Sequence, residues 1–191
     1  MTEAPAKTPR ERYRAQMQAE IKQVAWDQIA TAGASALSLN AIAKQVGMSG
    51  PALYRYFPSR DDLITDLIRD AYRSLSDTLH QARTAGADLT ELAHSLRDWA
   101  LTNPHRYFLI YGTPIPGYHA PADTTEISDR IMTLLIEVLA ETPSPTPPSR
   151  RALAFWTRLH GVLSLELAGH FTGMRIDPAG LYTEELDSLL Q

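Results

Sequence analysis

Between Gly33 and Pro58 the chain has room for two helices of about eight residues each, and this spacing constrains the fold more than any other feature of the sequence. Ser38 stands before LNAIAKQV as an N-cap, since its hydroxyl can accept from an otherwise unpaired amide of the first turn. Leu39, Ile42, Ala43 and Val46 then form one apolar face, which stops at Gly47, a residue suited to a helix C-terminus. Ser49 caps again, and Pro51 falls in the first turn of the next helix, where its missing N–H removes no hydrogen bond. Pro58 limits that helix to roughly 12 Å at about 1.5 Å per residue. Ser59 restarts the chain, with Asp62 three places on in a capping-box position, and a long helix follows through Leu63, Leu67, Ile68, Ala71, Leu75 and Leu79. Upstream, Ile21, Val24, Ala25, Ile29 and Ala32 recur at helical spacing within residues 11–32, and the pattern ends at Gly33.

Two short helices joined through Gly47-Met48 have the dimensions of a helix-turn-helix, whose second helix enters the DNA major groove. Gly50, Pro51 and Ala52 are small enough to let the backbone approach base edges, while Leu53 and Phe57, four apart, point back into a core. Tyr54, Arg55 and Tyr56 then face outwards or sideways. Tyrosine and serine hydroxyls suit phosphate oxygens, and an arginine suits a guanine edge or a phosphate. Charge agrees with this placement. The net charge is -4, yet residues 1–60 carry eight Lys and Arg against four acids, a balance of +4 that leaves -8 for the remainder. Arg10, Arg12 and Arg14 form either a basic arm toward phosphates or the minor groove, or ordinary solvated charge.

Other chemistries are narrowed by composition. With no cysteine there is no disulfide framework, no thiolate zinc site and no cysteine nucleophile, and a reducing compartment is compatible. MTEAPAKTPRERYRAQ has no apolar core and no apolar run of about 18 residues follows, so neither a signal peptide nor a membrane span is expected, and the cytoplasm is. The length of 191 residues suits a small domain plus a larger one. Glu166 and His170 are four apart on a helix, but two ligands do not make a metal site. Ser164 lies four from His160 without a strained elbow or a third group, so no catalytic residue, metal or cofactor is expected.

Beyond Gly86 the apolar pattern is helical throughout. Leu89, Leu92, Ala93, Leu96 and Ala100 mark one helix; Asn103-Pro104 opens a short one over HRYFLIYG; and Asp123 to Glu126 resembles a capping box before Ile127, Ile131, Leu134, Leu135 and Val138. GTPIPGYHAP (112–121) and TPSPTPPS (142–149) read as loops. The helix expected over 150–171 carries a seam of small residues, Ala154, Thr157, Gly161, Ser164 and Ala168, at intervals of three and four. Such a seam admits a close helix, either from the same chain or, in a homodimer, the same helix of a second copy. Leu153, Trp156, His160, Leu163 and Leu167 lie on another side. A small-molecule pocket needs apolar walls with a few polar groups, and the candidates are Trp99, Tyr107, Phe108, Tyr111, Met132, Trp156, His160 and His170. Each is also compatible with ordinary core, His160 as a histidine fixing a neighbouring backbone.

ALSLNAIAKQVGMSGPALYRYFPSRDDLI resembles the N-terminal DNA-binding domain of the tetracycline-repressor-like (TetR) family of bacterial transcriptional regulators, through Ile42-Ala43, Gly47-Met48-Ser49, Leu53-Tyr54, Phe57 and the restart from Ser59 to Leu63. The likeness spans about residues 10–75. It implies phosphate contacts from Ser38, Ser49, Tyr54, Tyr56 and Arg60, and base-edge approach by Gly50, Pro51, Ala52 and Arg55. Tyr56 stands where the family often has histidine. The segment FWTRLHG (155–161), with NPHRYFLIYGTPIPGYHAP before it, resembles the C-terminal domain of the Trp-His-Gly (WHG) subgroup over roughly 89–175. That implies a helical effector-binding and dimerisation domain with no reaction of its own. The expectation is therefore an all-α protein with an N-terminal arm and three-helix helix-turn-helix domain over 1–60, and a larger helical ligand-binding and dimerisation domain over 61–191, linked by the helix from about residue 60. Its expected partners are a double-stranded DNA operator, a small-molecule effector and a second copy, with no membrane. A repressor released from a palindromic operator by its effector is the first reading; an effector-independent DNA-binding, partner-recruiting protein is the alternative.

Overall fold

The computed structural model describes residues 8–190; Glu3 and Lys7 of the basic balance, and Gln191, lie outside them. Among the described residues every regular element is helical: α1 (Pro9–Ala32), α2 (Leu39–Gln45), α3 (Gly50–Leu53), α4 (Arg60–Thr84), α5 (Leu89–Thr102), α6 (Pro104–Tyr111), α7 (Ala122–Ala140), α8 (Pro148–Leu167) and α9 (Pro178–Leu190), with a 3₁₀ turn at Ala34–Ala36. No helix is long and apolar enough to cross a membrane. The chain divides into two compact units, the first running to Leu67 and including Pro114–His119, the second comprising Ile68–Thr113 and the residues from Ala120 onward. The division falls within α4, later than residue 60, because Leu63, Ile64 and Leu67 of its first two turns are among the buried residues of the first unit.

In the first unit, local chemistry fixes each boundary. Thr8 and Glu11 form a reciprocal capping box, the Thr8 amide donating to Glu11 Oε2 at 2.7 Å and the Glu11 amide to Thr8 Oγ1 at 3.3 Å, so α1 begins with Pro9 in its first turn. Met17, Ile21, Ala25 and Ile29, each four apart, form the buried stripe of α1. Leu39, Ile42 and Ala43 of α2, Leu53 of α3 and Phe57 complete the core with α4. The Pro114–His119 segment adds Tyr118, whose hydroxyl lies 3.0 Å from that of Thr65.

The second unit packs α5, α7, α8 and α9 around Leu96, Trp99, Leu135, Phe155, Leu159 and Tyr182. Burying one such large side chain contributes about 1.5–3 kcal/mol. Three elements differ from the sequence reading. Asp123 and Glu126 form no capping box: α7 starts at Ala122 behind Pro121 without a side-chain cap, and Asp123 pairs with Arg69 at 2.5 Å. α8 stops at Leu167, since Gly169 takes a φ of +76°, a conformation that opens only to residues without a Cβ at little cost. And α9 was not foreseen; Asp177 starts it by accepting from the amides of Ala179 and Gly180, each at 3.1 Å. Its Tyr182 is fully buried, with its hydroxyl donating to the Ala93 carbonyl at 2.7 Å.

One ion pair is largely withdrawn from water. Arg97 Nη2 donates to Glu166 Oε1 at 2.5 Å, the two side chains being 15% and 16% exposed, and the guanidinium carbon lies 5.8 Å from the centre of the Tyr182 ring. Removing one partner would strand the other charge in the core. We expect Arg97→Met to lower stability by about 3 kcal/mol, and Arg97→Met with Glu166→Leu to recover most of that loss. Urea unfolding of the three proteins checks this; equal losses for the single and double variants would mean the pair matters through packing alone.

Candidate functional site

The exposed end of the first unit is built by the turn between α2 and α3. Ser38 caps α2, accepting from the Ala41 amide at 3.3 Å, while its own amide donates to Gln28 Oε1 at 3.1 Å. α2 closes as Gly47 takes φ +71° and the Met48 amide reaches back to Ala43 O at 2.8 Å. Ser49 is extended and exposed, and its hydroxyl makes no capping bond; its carbonyl instead accepts from Ala52 and Leu53. A Cβ placed on Gly50 would meet nothing within 4 Å, and no positive φ demands glycine there. The fold leaves that position open for a close approach from outside.

The second helix is shorter than its sequence suggests. α3 covers only Gly50–Leu53, after which the chain tightens: the Arg55 amide donates to Ala52 O at 3.3 Å and the Tyr56 amide to Leu53 O at 2.8 Å. Pro58 explains this, because its ring disfavours helical backbone at Phe57, while Leu53 and Phe57 must both reach the core. Ser49, Pro51, Tyr54 and Arg55 are exposed, Tyr54 to 45%; Gly50, Ala52 and Tyr56 are half-buried. Such a surface presents one cation, phenolic and aliphatic hydroxyls and bare backbone, the groups that phosphates and base edges accept.

Two arginines do something the sequence did not disclose. Arg60 Nε donates to Leu37 O at 3.2 Å, and its Nη2 to Ala34 O at 2.9 Å and Ser35 O at 3.1 Å, with Asp61 3.7 Å away. Its guanidinium is committed to the turn before Ser38, which leaves few donors for the phosphate contact that the resemblance implied. Arg14 lies within α1 and places its guanidinium carbon 5.7 Å from the Tyr56 ring centre, with Nη2 3.4 Å from Arg55 O. The basic residues at Arg10, Arg12 and Arg14 therefore sit in the first turns of a helix, and Arg14 braces the far end of the reading turn.

In the second unit Tyr107 is fully buried, and its hydroxyl lies 2.9 Å from both His160 Nδ1 and Ser164 Oγ. Around His160 stand Trp156 at 4.1 Å, Tyr111 at 4.5 Å and Tyr107 at 5.4 Å between ring centres, the last stacked at 16°. Tyr72 meets Tyr111 edge-on at 5.9 Å, and Phe108 meets Tyr107 at 5.8 Å. The structure thus gathers Tyr107, Phe108, Tyr111, Trp156 and His160, and adds Tyr72 and Ser164, which sequence reasoning did not place there. The signal for Tyr72 is an aromatic beside Ala71, just off the apolar stripe of α4. Trp99 belongs to the core, its indole N–H donating to Ser74 Oγ at 3.0 Å, and Met132 packs half-buried on the same core. His170 is exposed, because α8 ends before it, and Glu166 is engaged by Arg97. Among the described residues no cluster of three or more metal-ligating side chains forms.

Along α8, Ala154 and Ser164 are half-buried and Thr157, Gly161 and Ala168 exposed. Nothing within 4 Å would meet a Cβ on Gly161. Ser164 of the seam packs within the chain, against Tyr107, while Thr157, Gly161 and Ala168 stay exposed; Leu153, expected on another side, is 55% exposed beside them, and Leu165 is 45% exposed.

Burial raises the Tyr111 phenol well above its ordinary value, the neighbouring Tyr72 and Tyr107 adding to the rise. Burial also raises Tyr107, against a lowering by the Ser164 hydrogen bond, and holds His160 down from 6.5 to about 4. His160 is neutral at pH 7. As pH falls below 6.5 an unfolded histidine gains a proton that the folded one refuses, so stability present above 6.5 drains away down to about 4. His160→Phe should flatten that limb of a pH series of thermal unfolding; an unchanged slope would assign the acid loss to other groups.

The comparisons agree with this geometry. Residues 21–67 match the family model described as bacterial regulatory proteins of the tetR family, and residues 89–189 the model described as the tetracyclin repressor-like C-terminal domain. Neither description names the narrower Trp-His-Gly subgroup. The transcriptional regulator Rv1816 of Mycobacterium tuberculosis, a helix-turn-helix protein, is 34% identical over 88% of each chain. A crystal structure of the regulatory protein SCO4313 superposes with a TM-score of 0.90 at 61% identity, covering 96% of this chain and 99% of that one. The TetR-family regulator PfmR of Thermus thermophilus shares the fold, with a TM-score of 0.67 at 16% identity over 89% of this chain and 96% of its own. These relatives are regulators and not enzymes, and the chain belongs to the tetracycline-repressor-like family of DNA-binding transcriptional regulators.

Proposed function

We propose that the protein is a repressor that binds a palindromic operator as a homodimer in the cytoplasm and is released by a small-molecule effector. The observation that carries the DNA-reading part is the surface from Ser49 to Arg55. Its hydroxyls, its cation and an unhindered Gly50 serve no need of the fold. Pro51 and Ala52 let the backbone sit against base edges, Arg55 supplies a bidentate donor, and Ser38, Ser49, Tyr54 and Tyr56 supply phosphate contacts. One short reading turn needs a second, so the exposed seam of Thr157, Gly161 and Ala168 with Leu153 and Leu165 is read as the face that meets a second copy.

The aromatic cluster around His160 is read as the effector site. An effector releases DNA only if it binds the non-reading arrangement more tightly than the reading one. Arg60 offers the route in the first unit: it opens α4 and holds the turn before Ser38, so a displacement of α4 reaches the α2 N-terminus through those hydrogen bonds.

Selection of the purified protein against random DNA duplexes, followed by the salt dependence of the winners, tests the core of this reading. An inverted repeat with two half-sites is the expected result; failure of folded, dimeric protein to enrich any sequence would overturn it. On the selected operator, Arg55→Ala should cost about 1–3 kcal/mol and relax preference at one base position. Arg60→Gln should lower affinity for every sequence and lower the melting temperature, yet leave the slope of log K against log salt unchanged; a slope reduced by about one would return Arg60 to a phosphate. Gly161→Glu should yield folded monomers by analytical ultracentrifugation, and an intact dimer would place the interface elsewhere.

A further inference from the structure

Buried polar atoms without a hydrogen-bond partner in the second unit include Arg97 Nε, Glu166 Oε2 and His160 Nε2. The first two belong to one ion pair, where a small rotation would make the pairing bidentate. His160 is different in kind. Its Nδ1 is taken by the Tyr107 hydroxyl at 2.9 Å, its Nε2 is buried without a partner, and the rings of Trp156 and Tyr111 lie nearest to the imidazole ring as a whole. A buried polar group left unpaired is destabilising, because it has given up its bonds to water and gained none in exchange. Nor does the fold require histidine to satisfy Tyr107, whose hydroxyl already has Ser164 Oγ at 2.9 Å. A phenylalanine would fill the same space without the orphaned nitrogen.

The surroundings define what would complete it. Tyr72, Tyr111 and Trp156 are only half-buried, so the cluster leaves part of its aromatic surface exposed. Burial is the main influence on the titration of His160, Tyr107 and Tyr111, which marks the site as poorly solvated. A carboxylate or an ammonium group would have to give up its hydration to enter so poorly solvated a site, which disfavours a charged ligand relative to a neutral one. Because Tyr107 can either donate to Nδ1 or accept from it, Nε2 is correspondingly a donor or an acceptor, and a hydroxyl group answers both tautomers.

We propose that His160 Nε2 is the polar anchor of the effector site and that its ligand is an uncharged, largely apolar molecule bearing one hydroxyl group, seated against Tyr72, Tyr111 and Trp156. This rests on reading the aromatic cluster as the effector site. Ser164 and Tyr107 are positioning residues, holding the imidazole so that Nε2 remains unpaired until ligand arrives.

The test uses the full-length protein with ring-¹⁵N histidine and three probes that differ in one group: 2-naphthol, naphthalene and 2-naphthoate. The His160 signal is assigned by its loss in His160→Phe, tryptophan fluorescence reports affinity, and operator binding is followed in the same samples. We expect 2-naphthol to move the His160 Nε2 resonance and to bind about tenfold more tightly than naphthalene, with that advantage lost in His160→Phe; 2-naphthoate should bind more weakly than 2-naphthol. Tightest binding by 2-naphthoate, equal binding by 2-naphthol and naphthalene, or a His160 resonance indifferent to all three would overturn the proposal. The wider reading fails separately. If 2-naphthol sits on His160 and operator affinity does not change, the anchor stands and effector release falls. If 2-naphthol releases the operator equally from wild type and His160→Phe, release stands and the anchor falls.

Discussion

The reading surface depends on one guanidinium. A single 3₁₀ turn leaves most of its carbonyl groups without an amide partner, and the turn at residues 34–37 has three carbonyls that accept from Arg60. Arginine is suited to this because its planar fork serves several acceptors at once. Its position argues that these bonds are why it is there: a cation at a helix N-terminus opposes the helix dipole, and α4 offsets this with Asp61 and Asp62 in the same turn. The order of dependence then runs along the chain. The held turn delivers Ser38 to cap α2, α2 ends at Gly47, and the Met48 amide returns to Ala43 O, which sets where α3 begins. Arg14 acts at the other end, against Arg55 O and the Tyr56 ring. Arg60 thus holds the entrance to α2 and Arg14 the exit of the reading turn.

The second unit obeys the same rule about polar groups with the opposite balance. Tyr107 and Tyr182 each bring a hydroxyl into a core of leucines, and each finds an acceptor, Ala93 O for Tyr182 and the Ser164–His160 pair for Tyr107. Arg97 Nε on α5, and His160 Nε2 and Glu166 Oε2 on α8, are buried without a hydrogen-bond partner. α8 therefore carries buried apolar residues on one side, polar groups directed into aromatic rings on another, and small exposed residues on a third.

Where the chain folds by short-range rules, its sequence is transparent. The N-cap at Ser38, the stop at Gly47, the Leu53–Phe57 pair and the restart at Ser59 depend on neighbours within four residues, and all stand in the structure where those rules put them. What the sequence concealed is long-range. Arg60 and the carbonyls it holds are more than twenty residues apart, so its basic side chain read as a phosphate ligand. α9 went unread because its start rests on Asp177 accepting from its own following amides and its reason to exist, Tyr182 against Ala93, spans 89 residues. His170 was placed in the pocket by counting turns along a helix that Gly169 ends first. Tyr72 and Ser164 joined the aromatic cluster through contacts across helices, which no spacing along one helix can show.

The brevity of α3 sets how finely one head can discriminate. Four helical residues, two of them Gly and Pro, offer a narrow footprint with a single long cationic side chain at its exit. If each well-read base pair is worth about 1–3 kcal/mol, a footprint that reads one or two pairs separates sites by a few orders of magnitude at most, too little to single out one locus in a genome. In the proposed homodimer two identical heads would add their free energies, so their discrimination factors multiply: a hundredfold preference per head becomes about ten-thousandfold for the pair. In such a dimer a short reading turn would make selectivity a property of spacing, and a protein that reads by spacing can be silenced by changing a distance while every contact residue stays intact.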